Sequence, residues 1–462
     1  MIATKSERTK RSIMKKTLDL GKEAILPLIL KMSWPSIIAM TAMSLYNFID
    51  TFWLARLSSQ ALAALTVCFP IQLIAAAIGV GTGIGAGSFS ARMFGAGKIL
   101  EAQKTAGQTF SLSMLFGFGS IGFVLLFGDA MLAFFGASAD IQPLSHDYLY
   151  LAVYSSPFLF FSMMTAIMLR AVGRPLLSMY VVLIALISSA ILDPFLIFGI
   201  GPFPRMGIRG AALAAIIGHI IMFIFSIYFL QLKSSKYDFK LKYIALDLKI
   251  IQSIYSTGFP SMVTNLVVSV VLVIYNHVLA NFGFQAIAAF GICFRVTGLA
   301  TMVLFGVGAG LMPIVGYNLG ARLFDRLKES VSVALQISIF FSIIAIVLLE
   351  VFSTQIIALF SNDPVLTAIA TPALRIHVAA LIFSAPIIIY VNMFIGLGKG
   401  ALAMFILFIR DILVFVPLLV ILPVFWGLTG AWLAMPLAGF IELFLVIYWA
   451  RKELKHFDKI SA

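Results

Sequence analysis

Two carboxylates lie where carboxylates are costly. Asp50 occurs in Tyr46-Asn-Phe-Ile-Asp-Thr-Phe-Trp53 and Asp193 in Ser189-Ala-Ile-Leu-Asp-Pro194, each within an otherwise apolar run. A charge at a bilayer centre costs roughly 2.5–3.5 kcal/mol on insertion scales, so such residues mark ion, proton or substrate paths. Asn47 precedes Asp50 by three residues and Ser189 precedes Asp193 by four, so on helices each shares the face of its acid. Two acids with oxygen-bearing neighbours in a dry pocket suit a coupling proton or Na⁺. The competing readings are a helix cap or external-surface residue for Asp50, and a helix-end cap for Asp193 before its proline. Pro35, about four turns before Asp50 on the same run, removes a helical hydrogen bond and is the candidate conformational hinge.

The remaining polar residues point to chemistry less directly. Arg410 and Asp411 form an adjacent charge pair inside an apolar run, and Arg295 and His277 lie in two others. A structural role competes here with substrate contact, and all four are candidates for a substrate cavity. Glu350 and Glu442 fall near run ends and read as interfacial. His219, His277 and His377 lack a metal partner at helical spacing and read as packed or cavity-lining residues. Cys68 and Cys293 provide neither a disulfide framework nor a metal spacing. No zinc-protease signature, nucleophile elbow or Cys/His pairing occurs, so an enzyme is not expected. No organic cofactor is expected either, and no metal beyond Na⁺ at Asp50 and Asp193.

The elements that must position these residues are membrane spans. The chain of 462 residues is 61% hydrophobic and 11% charged, where soluble proteins carry about 25% charged residues. Its mean hydropathy is +1.07. Twelve runs reach the length of about 20 residues that a helix needs to cross a bilayer. They are 27–52, 61–87, 105–127, 148–170, 176–199 and 210–232, then 254–280, 286–312, 330–352, 372–395, 400–421 and 429–450. The runs are too long and too uniformly apolar for barrel strands. The expected fold is an all-α polytopic membrane protein of twelve transmembrane helices in two six-helix bundles. Asp50 and Asp193 then fall at similar depth, in the outer halves of two spans with the same direction.

Charge placement supports this count. The net charge of +13 is carried by short runs between spans, which argues against nucleic acid as partner. With the N-terminus inside, the external loops and their edges hold only Arg56, Arg205, Arg209 and Arg375. Both termini are therefore expected in the cytoplasm. The first residues, including Lys5, Arg8, Lys10, Arg11, Lys15, Lys16 and Lys22, are basic and do not resemble a signal peptide. The domain limits expected are a cytoplasmic basic segment 1–26, an N-lobe 27–232, a linker 233–250, a C-lobe 251–450 and a cytoplasmic tail 451–462.

The chain also repeats itself. Residues 60–96 align without a gap on 285–321, with 12 of 37 positions identical, including Gly81, Gly83, Gly85 and Gly95 on Gly306, Gly308, Gly310 and Gly320. Gly173-Arg174 falls on Gly398-Lys399, and Gly207 to Ala211 on Gly427 to Ala431. Six spans per half give a parallel repeat, with an axis along the membrane normal. Asp50 maps to Tyr275 and Asp193 to Leu418, so an ion site would be one-sided. The alternating Gly79, Gly81, Gly83, Gly85 and Gly87 lack the strand and acidic residue of a dinucleotide loop. On a helix they form two small-residue stripes that let other helices approach.

With these residues in hand, the chain resembles the multidrug and toxic compound extrusion (MATE) family. The resemblance rests on the twelve spans in two halves, Asn47-Phe-Ile-Asp50-Thr, Gln60-Ala-Leu-Ala-Ala64, the Gly-rich second span and Leu192-Asp-Pro-Phe195 with Ile197-Phe-Gly199. Gly316 to Ala321 and the stretch from Arg410 to Pro417 add to it. The acids confined to the first half are similar to those of the prokaryotic DinF/MepA-like branch. The resemblance implies a V-shaped pair of bundles with alternating access between lobes. It also implies export of cationic or amphipathic compounds by antiport against H⁺ or Na⁺, with Asp50 and Asp193 as the family's acids and Pro35 as its bending proline. Ser189 stands where the family often has Asn, and Ala211 where it often has Thr, which tilts the expectation from Na⁺ toward H⁺. The expected partners are small organic cations and the lipid of a prokaryotic plasma membrane, and the expected assembly is a monomer. The rival within the superfamily is a flippase for a lipid-linked oligosaccharide or phospholipid, for which only Arg295 and Arg410 offer phosphate contacts.

Overall fold

The computed structural model describes residues 17–232, 235–237, 240–360 and 363–461, with the side chains of Asn47, Phe48, Leu241, Ile460 and Ser461 excepted. Lys5, Arg8, Lys10, Arg11, Lys15 and Lys16 of the basic N-terminal segment lie outside the described residues, as does Lys233 of the linker.

Every long apolar run is helical, and among the described residues no strand occurs. The first series is α1 (Ile25–Leu57), α2 (Ser59–Gly95), α3 (Ile99–Phe134), α4 (Gln142–Ala152), α5 (Ser156–Ala171), α6 (Pro175–Phe198) and α7 (Ile208–Gln231). A 3₁₀ turn, Val153–Ser155, joins α4 to α5. The second series is α8 (Leu248–Ala280), α9 (Phe284–Gly320), α10 (Phe324–Val351), the short α11 (Ser353–Ala358), α12 (Pro364–Ala379), α13 (Leu381–Gly396), α14 (Gly400–Phe408), a π-helical segment Ile409–Phe415 and α15 (Val416–Ser461). Local chemistry sets the ends. The Ser58 side chain accepts from the Ala61 amide at 3.0 Å to start α2, Asp363 does the same for α12, and Gly199 in the left-handed region closes α6.

Among the described residues, ten helices are long and apolar enough to cross a bilayer, and the pair α12–α13, bent by 41°, makes an eleventh. One of the ten, Gly400–Lys459, breaks at Gly427, whose φ of 55° and ψ of −141° are not helical. Counting its two parts separately gives twelve spans, the number the sequence predicts. Phe134, Leu126 and Val424 are about four-fifths exposed, as suits side chains facing lipid.

The repeat is visible in the backbone. The helices α2 and α9 each contain 37 residues, and α1 and α8 each contain 33. Gly207 starts α7 at φ 57°, ψ −133°, nearly the values of its counterpart Gly427. Only glycine occupies that region without strain. The Cys68 thiol donates to the Ser145 carbonyl at 3.6 Å, and the Cys293 thiol donates to the Ala370 carbonyl at 3.8 Å.

Contacts divide the chain into two compact units, but not at the linker. Unit 1 comprises Met1–Leu20 and Ile38–Met262; unit 2 comprises Gly21–Ile37 and Val263–Ala462. The chain therefore changes unit inside α1 and inside α8, two residues beyond Pro35 and Pro260. The sequence-based limits, drawn from the repeat, place these half-helices with their own halves. Packing assigns them otherwise because the glycine stripes receive them. In unit 1, Gly81 and Gly85 face Ile254, Gly258 and Met262 of α8, while Gly79, Gly83 and Gly87 face Phe160, Met163 and Ile167 of α5. In unit 2, Gly306 and Gly310 face Met32, Ser33 and Ile37 of α1. The two stripes of α2 thus serve two different partners.

Among the described residues, the core of unit 1 includes two clusters. One gathers Leu54, Ala64, Cys68, Tyr148 and Ile197, and the other Phe161, Met168, Val181 and Phe229. Unit 2 has a large aromatic core around Tyr275, Phe290, Phe415 and Trp432.

Candidate functional site

Asp50 stands near the end of α1 and Asp193 near the end of α6. Asp193 is 1% exposed, and neither of its carboxylate oxygens has a conventional hydrogen-bond donor. The two carboxyl groups lie within hydrogen-bonding reach of each other. The structure thus brings the two acids close to each other.

Helical spacing supplies the rest of the site. Tyr46, one turn before Asp50, places its hydroxyl within reach of both Asp50 and Ser189. Ser189, one turn before Asp193, is 2% exposed. Gly218 of α7 leaves room for it, since a Cβ there would stand 3.1 Å from Ser189 Oγ. Across the site, the buried Tyr148 hydroxyl of α4 accepts from Gln72 Nε2 of α2 at 2.9 Å and lies in the field of both acids. The Asn47 side chain lies outside the described residues. Among the described residues, the hydroxyls of Tyr46, Ser189 and Tyr148 thus lie near the two acids. Among the described residues, no group of three or more His, Cys, Asp or Glu could hold a metal ion.

Asp50 borders a cavity of about 710 Å³ inside unit 1, with Asp193 behind it. Its walls are mostly apolar and include Met40, Phe69, Phe116 and Phe123. Its polar residues include Asp50, Gln72, Tyr148, Arg170 and His219. The volume suits a drug-sized molecule with few polar anchors.

The other sequence candidates are dispersed. Pro35 is buried within a continuous α1, at the change of unit. Arg295 and His277 are exposed on α9 and α8 and belong to unit 2, so they do not line the cavity of unit 1. Arg410 and Asp411 also belong to unit 2, where Arg410 Nε meets Asp411 Oδ1 at 2.7 Å. Glu442, which the sequence places near a span end, is instead 2% exposed and 3.5 Å from Arg410. At the counterpart of Asp50, the Tyr275 hydroxyl donates to the Ala431 carbonyl at 3.0 Å and meets His377 Nε2 at 3.2 Å. Aromatic packing fills that position in unit 2 where unit 1 has the acid pair.

Sequence reasoning missed Tyr46, Gln72 and Tyr148. Tyr46 carried a usable signal in its four-residue spacing from Asp50. Gln72 and Tyr148 enter only through tertiary packing of α2 and α4.

The MatE family model matches residues 35–195 and again 260–421, each match beginning at one of the paired prolines. The chain belongs to the MatE family. Multidrug export protein MepA of Staphylococcus haemolyticus is 27% identical over 446 residues, covering 95% of this chain and 97% of that protein. A Shewanella oneidensis protein named FAD transporter is 29% identical over 340 residues, 73% of this chain and 74% of its own length. A solved multidrug resistance MATE transporter of the MOP superfamily, in an outward-facing conformation, matches with a TM-score of 0.88 at 22% identity, covering 99% of this chain and 100% of that one. This MatE chain thus has the fold of transporters with twelve helices in two lobes, and it is a multi-span membrane transporter.

Proposed function

We propose that this MatE protein exports cationic or amphipathic organic compounds by antiport, with Asp50 and Asp193 as the proton-coupling site. The observation that supports this reading is Asp50 at the wall of an apolar cavity in unit 1, with the buried Asp193 beside it. A substrate cation is attracted by an ionised pair, and a proton arriving from outside removes that attraction and releases it. Alternating access makes the two events exclusive. H⁺ is favoured over Na⁺ because Ser189 and Ala211 stand where the family often has the ion-coordinating Asn and Thr. The protein acts in a prokaryotic plasma membrane as a monomer, without an organic cofactor, and with both termini cytoplasmic.

The test is transport in proteoliposomes with H⁺ and Na⁺ gradients imposed separately, using a fluorescent organic cation and, in parallel, FAD. A proton gradient alone should drive cation efflux, and Asp50→Asn or Asp193→Asn should abolish it. Full gradient-driven efflux in both variants would refute the coupling site. FAD movement without cation movement would overturn the substrate class in favour of that of the Shewanella relative.

A further inference from the structure

We propose that Arg410, Asp411 and Glu442 form a second proton-binding site, in unit 2, in which two carboxyl groups share one guanidinium and bind one proton. The proposal goes beyond the reading of unit 1 and does not depend on it. Arg410 and Asp411 lie on the π-helical segment Ile409–Phe415, and Glu442 projects from α15. Arg410 Nε meets Asp411 Oδ1 at 2.7 Å, and Arg410 Nη1 meets Glu442 Oε2 at 3.5 Å. The Glu442 side chain is fully buried, that of Asp411 is 5% exposed and that of Arg410 31% exposed. One oxygen of each acid, Asp411 Oδ2 and Glu442 Oε1, is buried without a hydrogen-bond partner.

Charge counting carries the argument. One guanidinium cannot neutralise two carboxylates, and an uncompensated charge in a low-dielectric interior is strongly unfavourable. Each acid spends one oxygen on Arg410 and leaves the other unpaired, so a proton on either free oxygen restores neutrality. A metal cation is a poor alternative, because only two free oxygens are offered and the guanidinium repels it. Among the described residues, the charged groups acting on Glu442 are Arg410 and Asp411. Several titratable residues of the helices packed against α15, which carries Glu442, have partners of their own. On α12, His377 meets Tyr275; on α10, Glu350 pairs with Arg375 and Lys328 with Asp325 and Asp458. Lys399, just before α14, pairs with Glu453. The partly exposed Arg410 is the side from which a proton can arrive.

The test uses the full-length protein carrying Asp50→Asn and Asp193→Asn, so that unit 1 contributes no signal. Infrared difference spectra near neutral pH, where surface carboxyls are ionised, should retain one carboxylic C=O band that shifts in D₂O. Adding either E442Q or D411N should abolish that band, because each leaves a neutral ion pair that needs no proton. Both substitutions are near-isosteric and remove the uncompensated charge, and a pH-indicator count on the same samples should fall by one exchangeable proton per molecule. Absence of the band in the starting protein overturns the proposal. So does a band that survives one of the two substitutions, since that is the behaviour of an independent acid.

Discussion

Asp193 has no conventional hydrogen-bond donor, so its neighbours decide what the acid pair can do. Tyr46 is the group that joins Asp50 to Ser189, within one turn of each acid. A hydrogen bond to a charged group contributes about 1.5–3 kcal/mol, so Tyr46→Phe should lower coupled efflux about tenfold or more. Proteoliposome rates equal to wild type would show that the hydroxyl only fills space. Asp50 and Asp193 were legible in the sequence because a carboxylate in an apolar run is anomalous. Tyr148 and Gln72 were not, because tyrosine and glutamine are tolerated on many membrane helices and their role depends on which helix they meet. Glu442 was misread for a related reason: distance from a span end says nothing about the guanidinium that draws it inward.

Helices set the second scale, and here the glycines separate packing from permissiveness. Gly85 lies against the backbone of Ile254, whereas Gly291 has open space where a Cβ would go. Replacing Gly85 with Leu should cost about 1–3 kcal/mol through overpacking, seen as a lower melting temperature of the purified protein. Gly291→Ala should leave it unchanged or raise it, since alanine exceeds glycine in a helix by about 0.8–1.0 kcal/mol. Equal effects at both positions would remove the docking role of the stripe. Pro35 belongs to the same scale. It lacks an amide donor at the point where α1 changes unit, so bending there sacrifices no hydrogen bond of its own. Pro35→Ala should therefore leave a folded protein with impaired transport, and intact transport would discard the hinge. The sequence identified both features as glycine and proline in a helix. It did not reveal that the stripe of Gly81 and Gly85 receives α8 while Gly79, Gly83 and Gly87 receive α5.

At the scale of the molecule, repeat halves and compact units are different partitions of one chain. Unit 1 needs the start of α8 and unit 2 needs the start of α1. A chain cut in the linker and expressed as two fragments should therefore transport only when both are made together. A single fragment that purifies as a stable, folded half would contradict this. Spans, repeat, one-sided acids and the transporter class were determined by the sequence alone, because hydropathy, helical spacing and internal identity are local properties that survive without a partner. Tertiary structure decided which side chains meet: Asp50 with Asp193, Tyr46 with Ser189, and Glu442 with Arg410. Those meetings join residues far apart in the chain, and no periodicity encodes them. They follow from how closely one helix can approach another, which is set by glycines, packing volume and the cost of leaving a charge alone in an apolar interior.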